Sequence, residues 1–167
     1  RSHKAYPMLR YAWTDAKAAL KTLATDLPDL EQVQITYTNP ETGTDAENIL
    51  GFYALMLRPG QSLRLPARSP AQVFHVIEGS VQADIVDSHF KMVEADTCCA
   101  PGYEAVTLTN LQADKASFVA MRKNIFEDLE KYKEFCVDYG YKFDESDLYN
   151  NRSHIYRQHS KQIAGKF

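Results

Sequence analysis

Short runs of alternating apolar and polar residues, punctuated by Gly, Pro and Asp, fill the centre of this chain. They predict strands at residues 49–57, 62–68, 73–78, 81–86, 90–93, 97–100, 104–109 and 116–121. An earlier run predicts a strand at residues 33–38. Many short strands at this spacing are typical of a closed or double-sheet barrel, so the predicted fold class is all-β.

Helical periodicity flanks these strands on both sides. Leu20, Leu23 and Leu27 recur three and four residues apart in the segment 14–27, where Thr14 is a candidate N-cap. A second helix is predicted to begin at Asn124, and the polar residues after 140 are expected to form a surface arm. The predicted organisation is one domain: a linker and helix at 1–30, a barrel at 31–121, and a helix with a polar tail at 122–167.

Composition narrows the function classes. The chain has 167 residues, 44% of them hydrophobic, and a net charge of −3, which indicates a soluble globular protein. No apolar run approaches the roughly 20 residues of a membrane helix, and no basic excess favours nucleic acid. Cys98 and Cys99 are adjacent, so on a strand they face opposite sides and are expected to stay reduced. We therefore predict a cytoplasmic protein, and the start at Arg1 suggests a fragment or processed product.

Candidate chemistry is concentrated in two segments, GQSLRLPARSPAQVFHVIEG at 60–79 and ADTCCAPGYEAVTLTN at 95–110. They resemble the two motifs of the cupin superfamily, in which three His and a Glu at fixed spacing hold a metal ion. Pro66, Arg68 and Val106 stand at the positions of the three His, and Gln72 stands at that of the Glu. Asn110 keeps the family residue and is predicted to brace the local backbone. The resemblance implies a cupin fold, that is, a double-stranded β-helix or jelly-roll barrel.

The residues at these positions argue against a metal in this chain. Transition-metal sites need imidazole or carboxylate donors from facing strands. Pro and Val offer no donor atom, Arg stays protonated, and a single Gln carbonyl is a weak ligand. No nucleophile triad or phosphate loop stands out either. We therefore predict no metal ligand and no catalytic residue.

Strand parity predicts which side chains line the barrel interior. If Gln72 faces inward, the period of two sends Phe74 inward and leaves His75 on the outer face. By the same rule Arg64 and Arg68 share one side and could clamp a small aromatic carboxylate, or else pair with acidic residues at the rim. Another possible lining residue is Tyr103, which could equally be an exposed turn residue. The predicted ligand pocket consists of Arg64, Arg68, Gln72, Phe74 and Tyr103.

A closer resemblance includes the flanks. The segments RYAWTDAKAAL (10–20), YTNPETG (37–43), RSPAQVFHVIEG (68–79) and APGYEAVTLTN (100–110) resemble the C-terminal half of gentisate 1,2-dioxygenases and their salicylate and 1-hydroxy-2-naphthoate relatives, over residues 10–129. The resemblance implies a two-cupin parent enzyme. Its N-terminal cupin, missing here, would hold Fe(II) and cleave the aromatic ring, while its C-terminal cupin is metal-poor.

Three readings follow. The first is the non-catalytic half of a ring-cleaving dioxygenase, whose partner is a second cupin domain or another copy of the chain. The second is a free-standing, metal-free cupin that binds a small carboxylate through Arg64 and Arg68. The third is a metal-independent cupin enzyme, such as a sugar epimerase or isomerase, which needs an inward His or Tyr as acid or base.

Overall fold

The computed structural model describes residues 10–40, 43–46, 50–124, 137, 138 and 140. Residues 1–127 and 128–167 form two compact units, and all elements discussed below belong to the first. They are helix α1 and strands β1 to β9, which span, in chain order, Trp13–Asp26, Val33–Thr36, Leu50–Leu57, Ser62–Leu65, Gln72–Glu78, Ser80–Ile85, Ser88–Val93, Thr97–Ala100, Val106–Asn110 and Ser117–Asn124.

The strands form two antiparallel sheets. One has the order β1-β2-β9-β4-β7 and the other has the order β3-β8-β5-β6. Apolar side chains from both sheets make one buried cluster, which includes Leu55, Phe74, Leu108 and Val119. Every second residue of β5 and β8 is buried, as expected for strands with one face on a core. The double-sheet architecture predicted from the alternation is confirmed.

Helix α1 covers the outer face of the larger sheet. Leu20 is fully buried there against Val33, Ala54 and Phe118 from β1, β2 and β9. Helix α1 has 14 residues with both apolar and polar side chains. Isolated helices of this length are only marginally stable in water, so α1 depends on this packing against the sheet. Within the described ranges, no helix combines the length and apolar character required to cross a membrane.

A polar contact fastens the start of α1 to the barrel. The indole Nε1 of Trp13 donates a hydrogen bond of 2.7 Å to Glu78 at the end of β4. The Lys17 ammonium pairs with the other carboxylate oxygen of Glu78. The hydrogen bond from Lys17 and then that from Trp13 lower the pKa of Glu78 below its ordinary value. The carboxylate therefore contributes to docking of the helix in its ionised form.

Asn110 braces the connection between β8 and β9, as predicted. Its side-chain Nδ2 donates to the carbonyl oxygens of Leu57, Arg58 and Lys115 at 3.2, 3.0 and 2.7 Å. Its Oδ1 accepts from the Gln112 N–H at 3.0 Å and from the Ser117 hydroxyl at 2.7 Å. One buried amide thus satisfies backbone groups at the end of β2 and in the connection between β8 and β9, which would otherwise lie unpaired out of water.

Several predicted boundaries shift. The N-cap position of α1 is occupied by Ala12 without a side-chain bond, so the prediction of Thr14 as N-cap is wrong. Strand β3 ends at Leu65 rather than at residue 68, because Pro66 has no N–H to donate to a ladder. Strand β9 continues to Asn124, three residues beyond the predicted end. The predicted helix at 125–136 and the tail from 141 to 167 lie outside the described residues.

Candidate functional site

An open cavity of about 230 Å³ lies at one end of the barrel. Its polar wall is formed by three amides and two cations: Gln32, Gln34, Arg68, Gln72 and Lys123. Its apolar wall consists of Leu65, Pro66 and Met121. Strands β1, β3, β4 and β9 and the segments just before β1 and just after β3 all contribute to it, so residues distant in the chain meet there. We call this space the mouth cavity.

The positions singled out by motif spacing converge on this cavity. Pro66, Arg68 and Gln72 all line it, although β3 and β4 belong to different sheets. The fourth position, Val106, is fully buried in the apolar core. The spacing of the motif therefore places three of its four positions around one cavity, although their side chains differ from those of the metal-binding motif.

This donor set does not fit Fe(II). The convergent positions present a proline ring, a guanidinium and an amide, and none supplies an imidazole or a carboxylate. His75, on the same strand as Gln72, is exposed on the outer face and hydrogen-bonds Thr97 at 2.8 Å. Across the residues that the structure describes, no three His, Cys, Asp or Glu side chains come close enough to share a metal.

Gln72 is the most buried polar group of the mouth cavity. Its residue is only 4% exposed, and within the described part of the chain its side-chain amide has no hydrogen-bond partner. It lies on the inner face of β4, with Phe74 fully buried two residues further on, so the predicted parity of this strand is confirmed. A buried amide without a protein partner is unusual, because such groups are satisfied in most proteins.

Lys123 lies directly across the ladder from Gln72. The two residues are paired in register between β4 and β9. The ammonium of Lys123 lies 5.3 Å from the centre of the Tyr53 ring, within the range of a cation–π contact. Gly51 makes room for this ring, because a Cβ there would lie 2.3 Å from the Tyr53 hydroxyl. The absence of a side chain at Gly51 therefore leaves space for the Tyr53 ring, which the Lys123 ammonium contacts.

Arg68 is positioned by the turn of the second motif. The N–H of Tyr103 donates a 2.7 Å hydrogen bond to the carbonyl oxygen of Arg68. Next to it, Gly102 packs so closely that an added Cβ would lie 2.4 Å from the Ser69 carbonyl oxygen. Tyr103 has a φ of 67°, the left-handed conformation that a tight turn requires. The turn at residues 102–103 therefore fixes the backbone of Arg68 and Ser69 beside the cavity through main-chain contacts.

Three predicted pocket residues take other places. Arg64 is exposed on the outer face of β3, because the inward positions of that strand are taken by Leu63 and Leu65. Phe74 belongs to the apolar core and is not among the residues that line the cavity. The Tyr103 side chain is 54% exposed and also does not line it. Arg64 and Tyr103 therefore do not line the mouth cavity, and Tyr103 takes the exposed turn position that was the alternative for it.

Sequence reasoning missed Gln32, Gln34 and Lys123. Gln34 alternates with the buried Val33 on β1, so the alternation already indicated that it faces the side opposite α1. Gln32 donates to the Gln34 side-chain oxygen at 2.7 Å, which orients this pair of amides. Lys123 was missed because the predicted strand stopped at residue 121.

A second cavity, of about 310 Å³, has a mainly aromatic wall. Tyr11 and Tyr37 pack with ring centres 4.9 Å apart, and the Tyr11 hydroxyl donates to the Thr38 carbonyl oxygen at 2.6 Å. Phe52 and Tyr53 complete the aromatic part of the wall. Burial raises the pKa of the Tyr37 hydroxyl above its ordinary value, because it disfavours the charged phenolate.

The adjacent cysteines point to opposite sides of β7, as predicted. Cys98 packs against the core, Cys99 is exposed, and both are free thiols. Burial, and to a smaller extent the neighbouring Cys99, raises the pKa of the Cys98 thiol. A thiol with a raised pKa is a poor nucleophile at neutral pH, so Cys98 acts as a core side chain.

Comparison with known proteins supports the resemblance found in the sequence. Over 121 residues the chain is 67% identical to a gentisate 1,2-dioxygenase from Ralstonia sp, a match that covers 72% of this chain and 34% of that protein. The chain thus spans about a third of the length of this curated relative. No family model matches the chain.

Solved structures confirm the fold. The salicylate 1,2-dioxygenase of Pseudoaminobacter salicylatoxidans, in adducts with gentisate, superposes with a TM-score of 0.62 and 21% identity. The match covers 76% of this chain and 34% of that structure. At this level of identity the superposition establishes architecture, and the chain has the all-β cupin fold that its two motifs predicted.

Proposed function

We propose that this chain is the metal-poor cupin half of a gentisate 1,2-dioxygenase-like, ring-cleaving enzyme, in which it has a structural and oligomerising role. The observation that carries the proposal is the convergence of Pro66, Arg68 and Gln72 on one cavity without any imidazole or carboxylate donor. The 67% identity to a gentisate 1,2-dioxygenase supports the assignment of the parent enzyme. In this proposal Fe(II) is bound by a cupin outside this chain, and the aromatic ring is cleaved there.

A structural role requires surfaces for a partner, and the described strands provide them. Strands β6 and β7 are edge strands of the two sheets. Val86, Phe90 and Val93, in or beside β6, are exposed apolar side chains. Unpaired strand edges with apolar side chains are suited to contact with another barrel. The outer face near His75 is a further candidate, whereas Ile77 on that face already packs in the cluster beneath α1.

Metal analysis tests the proposal most directly. The purified chain is loaded with Fe(II) without oxygen, desalted, and analysed for iron and for turnover of gentisate. We expect far less than one iron per chain and no ring cleavage. Stoichiometric iron in the unmodified chain would contradict the proposal.

A variant with an engineered metal site serves as the positive control for the iron-loading experiment. Pro66→His, Arg68→His, Gln72→Glu and Val106→His together restore the ligand set of the resembled motifs in this backbone. We expect this variant to bind about one Fe(II) per chain if the scaffold keeps the motif geometry. Failure of both proteins to bind iron, with the variant folded, would refute the claim that residue identity alone prevents binding.

The second candidate is a free-standing, metal-free cupin that binds a small carboxylate. The composition of the mouth cavity favours it, because cations and amides line the space. The two candidates differ in their partner requirement. Co-expression with an Fe(II)-binding first cupin should give a stable complex for the structural half, and no association for a free-standing binder.

A further inference from the structure

The second cavity, of about 310 Å³, has the features of a small-molecule site, and we call it the aromatic cavity. We infer that it binds a small, uncharged molecule with one aromatic ring and one polar substituent. The inference does not rest on the proposed function, because the wall of this cavity alone carries it. Three features support it: a fixed aromatic wall, a suitable volume, and a partly buried hydroxyl group without a protein partner.

The aromatic wall is held in place by contacts within the protein. The Tyr11 hydroxyl donates to the Thr38 carbonyl oxygen at 2.6 Å, and the Tyr11 and Tyr37 ring centres lie 4.9 Å apart. The Tyr37 N–H donates to the Phe52 carbonyl oxygen at 2.9 Å, which holds the segment after β1 against β2. Groups that are already ordered lose little entropy on binding, so this wall favours a rigid, flat ligand.

Small side chains leave space between the rings. Ala46, in the connection between β1 and β2, and Ala120 on β9 line the cavity together with the aromatic residues. Tyr11 is 39% exposed, so the wall reaches solvent and a ligand can enter. Ligand pockets are mainly apolar and begin at about 300 Å³, and about 150 Å³ is enough for benzene. The aromatic cavity therefore accommodates one ring with a substituent.

The chemistry of the wall selects an uncharged aromatic ring. Aromatic rings attract one another in tilted or offset arrangements with centres about 4.5–7 Å apart. The Tyr11–Tyr37 pair has this geometry, with 50° between the ring planes, and a ligand ring would extend the same cluster. An organic cation fits less well, because the Lys123 ammonium already contacts the Tyr53 ring at 5.3 Å and would compete for it.

The Tyr37 hydroxyl provides a polar contact for the ligand. No described residue hydrogen-bonds this hydroxyl, whereas the Tyr11 hydroxyl is bonded to Thr38. The group is partly removed from water, which raises its pKa. Leaving such a group without a partner is unfavourable, and a phenolic hydroxyl can both donate and accept. A ligand with one hydroxyl group would satisfy it.

Ligand-observed NMR titrations of the full chain at pH 7 test the site. The main probe is phenol. Cyclohexanol keeps the hydroxyl without the aromatic ring, toluene keeps the ring without the hydroxyl, and choline carries a positive charge. We expect saturable binding of phenol and toluene, at least about threefold weaker binding of cyclohexanol than of phenol, and no saturable binding of choline over the same concentrations.

A conservative variant tests the polar contact. Tyr37→Phe removes only the hydroxyl, so it should weaken phenol binding about threefold or more and leave toluene binding unchanged. Tyr103→Phe is the matched control, because the Tyr103 side chain is 54% exposed and is not among the residues that line the aromatic cavity. This control should bind both ligands like the unmodified chain.

Two filling variants test the location. Ala120→Leu and Ala46→Leu each place a larger side chain in the wall, one from β9 and one from the connection between β1 and β2. Each should weaken the binding of phenol and of toluene about tenfold or more. Ala18→Leu makes the same change at an exposed position of α1 and should have no effect. Circular dichroism and urea unfolding confirm that each variant is folded, and Ala46→Leu decides the test if Ala120→Leu does not fold.

Several results would overturn the site. These are the absence of saturable phenol binding, equal binding of cyclohexanol and phenol, saturable binding of choline, and unchanged phenol binding in a folded filling variant. An equal loss of phenol and toluene binding in Tyr37→Phe would refute the role of the hydroxyl. The iron-loading experiment has a separate readout: iron in the unmodified chain would contradict the proposed function and leave this site standing, and a failed phenol titration would do the reverse.

Discussion

The side chain of Asn110 should be worth several kilocalories per mole to this fold, which makes Asn110→Ala a strong test of how the barrel is closed. The amide contacts five polar groups near the ends of β2, β8 and β9 at 2.7 to 3.2 Å, and its two N–H hydrogens are shared among three carbonyl oxygens. A typical neutral hydrogen bond contributes about 1 kcal/mol net, and a buried group left unpaired costs about 1–3 kcal/mol. Some partners will regain water, so we expect Asn110→Ala to lower the free energy of unfolding by about 3–5 kcal/mol.

Two companion variants separate the causes. Asn110→Asp keeps both acceptor contacts but removes the NH₂ that serves three carbonyl oxygens, so it should destabilise the fold at least as much as Asn110→Ala at pH 7. Thr109→Ala removes the hydroxyl of the neighbouring residue, whose exposed hydrogen bond to Ser62 measures 2.6 Å. Because exposed groups regain water on loss of a partner, Thr109→Ala should cost less than about 1 kcal/mol.

Urea denaturation measures these differences. The fluorescence of Trp13, which packs edge-on to Phe118 at 5.4 Å, reports the docking of α1, and far-ultraviolet circular dichroism reports the sheets. Coincident transitions with the two probes justify a two-state free energy. If Asn110→Ala costs no more than Thr109→Ala, the buried network does not close the barrel and this reasoning is wrong.

Three further predictions concern a strained turn, an ion pair and a close contact. Val86 has a φ of 54° in the turn between β5 and β6, so Val86→Asn should raise the free energy of unfolding by about 1 kcal/mol in urea titrations; a neutral result would argue against strain. The hydrogen bond from Lys17 lowers the pKa of Glu78 in the folded chain. The ion pair therefore stabilises the fold at pH values above the ordinary carboxyl pKa of about 4.3, and this stabilisation is lost as the pH falls through the lowered pKa. Glu78→Gln should therefore be less stable than the unmodified chain at pH 7, by less than about 1 kcal/mol, with the gap closing in acid; a constant gap would refute the assignment. Gly102→Ala should cost about 2 kcal/mol or more by calorimetry, because its Cβ would meet the Ser69 carbonyl oxygen, and an unchanged melting temperature would contradict the close contact.

Local pattern was enough to predict most of the scaffold. Alternation predicted the strands because one face of each packs on the core, as the buried positions of β5 and β8 illustrate. Motif spacing placed Pro66, Arg68 and Gln72 at related positions, and all three line the mouth cavity, because loop lengths in a two-sheet barrel determine which positions face each other. The chemistry of those side chains then argued against an iron site, since donor atoms are a property of residue type.

The tertiary structure decided the composition of the mouth cavity. The parity argument predicted that Arg64 and Arg68 face the same side of the barrel. Alternation with a period of two holds only within a strand, however, and β3 ends at Leu65, before Arg68. Beyond that point the chain path brings Arg68 to the cavity while Arg64 stays outside. Lys123 enters through its ladder pairing with Gln72, a long-range contact. Sequence determined the frame and its lack of metal donors, and only the packing of distant strands determined which cations and amides meet there.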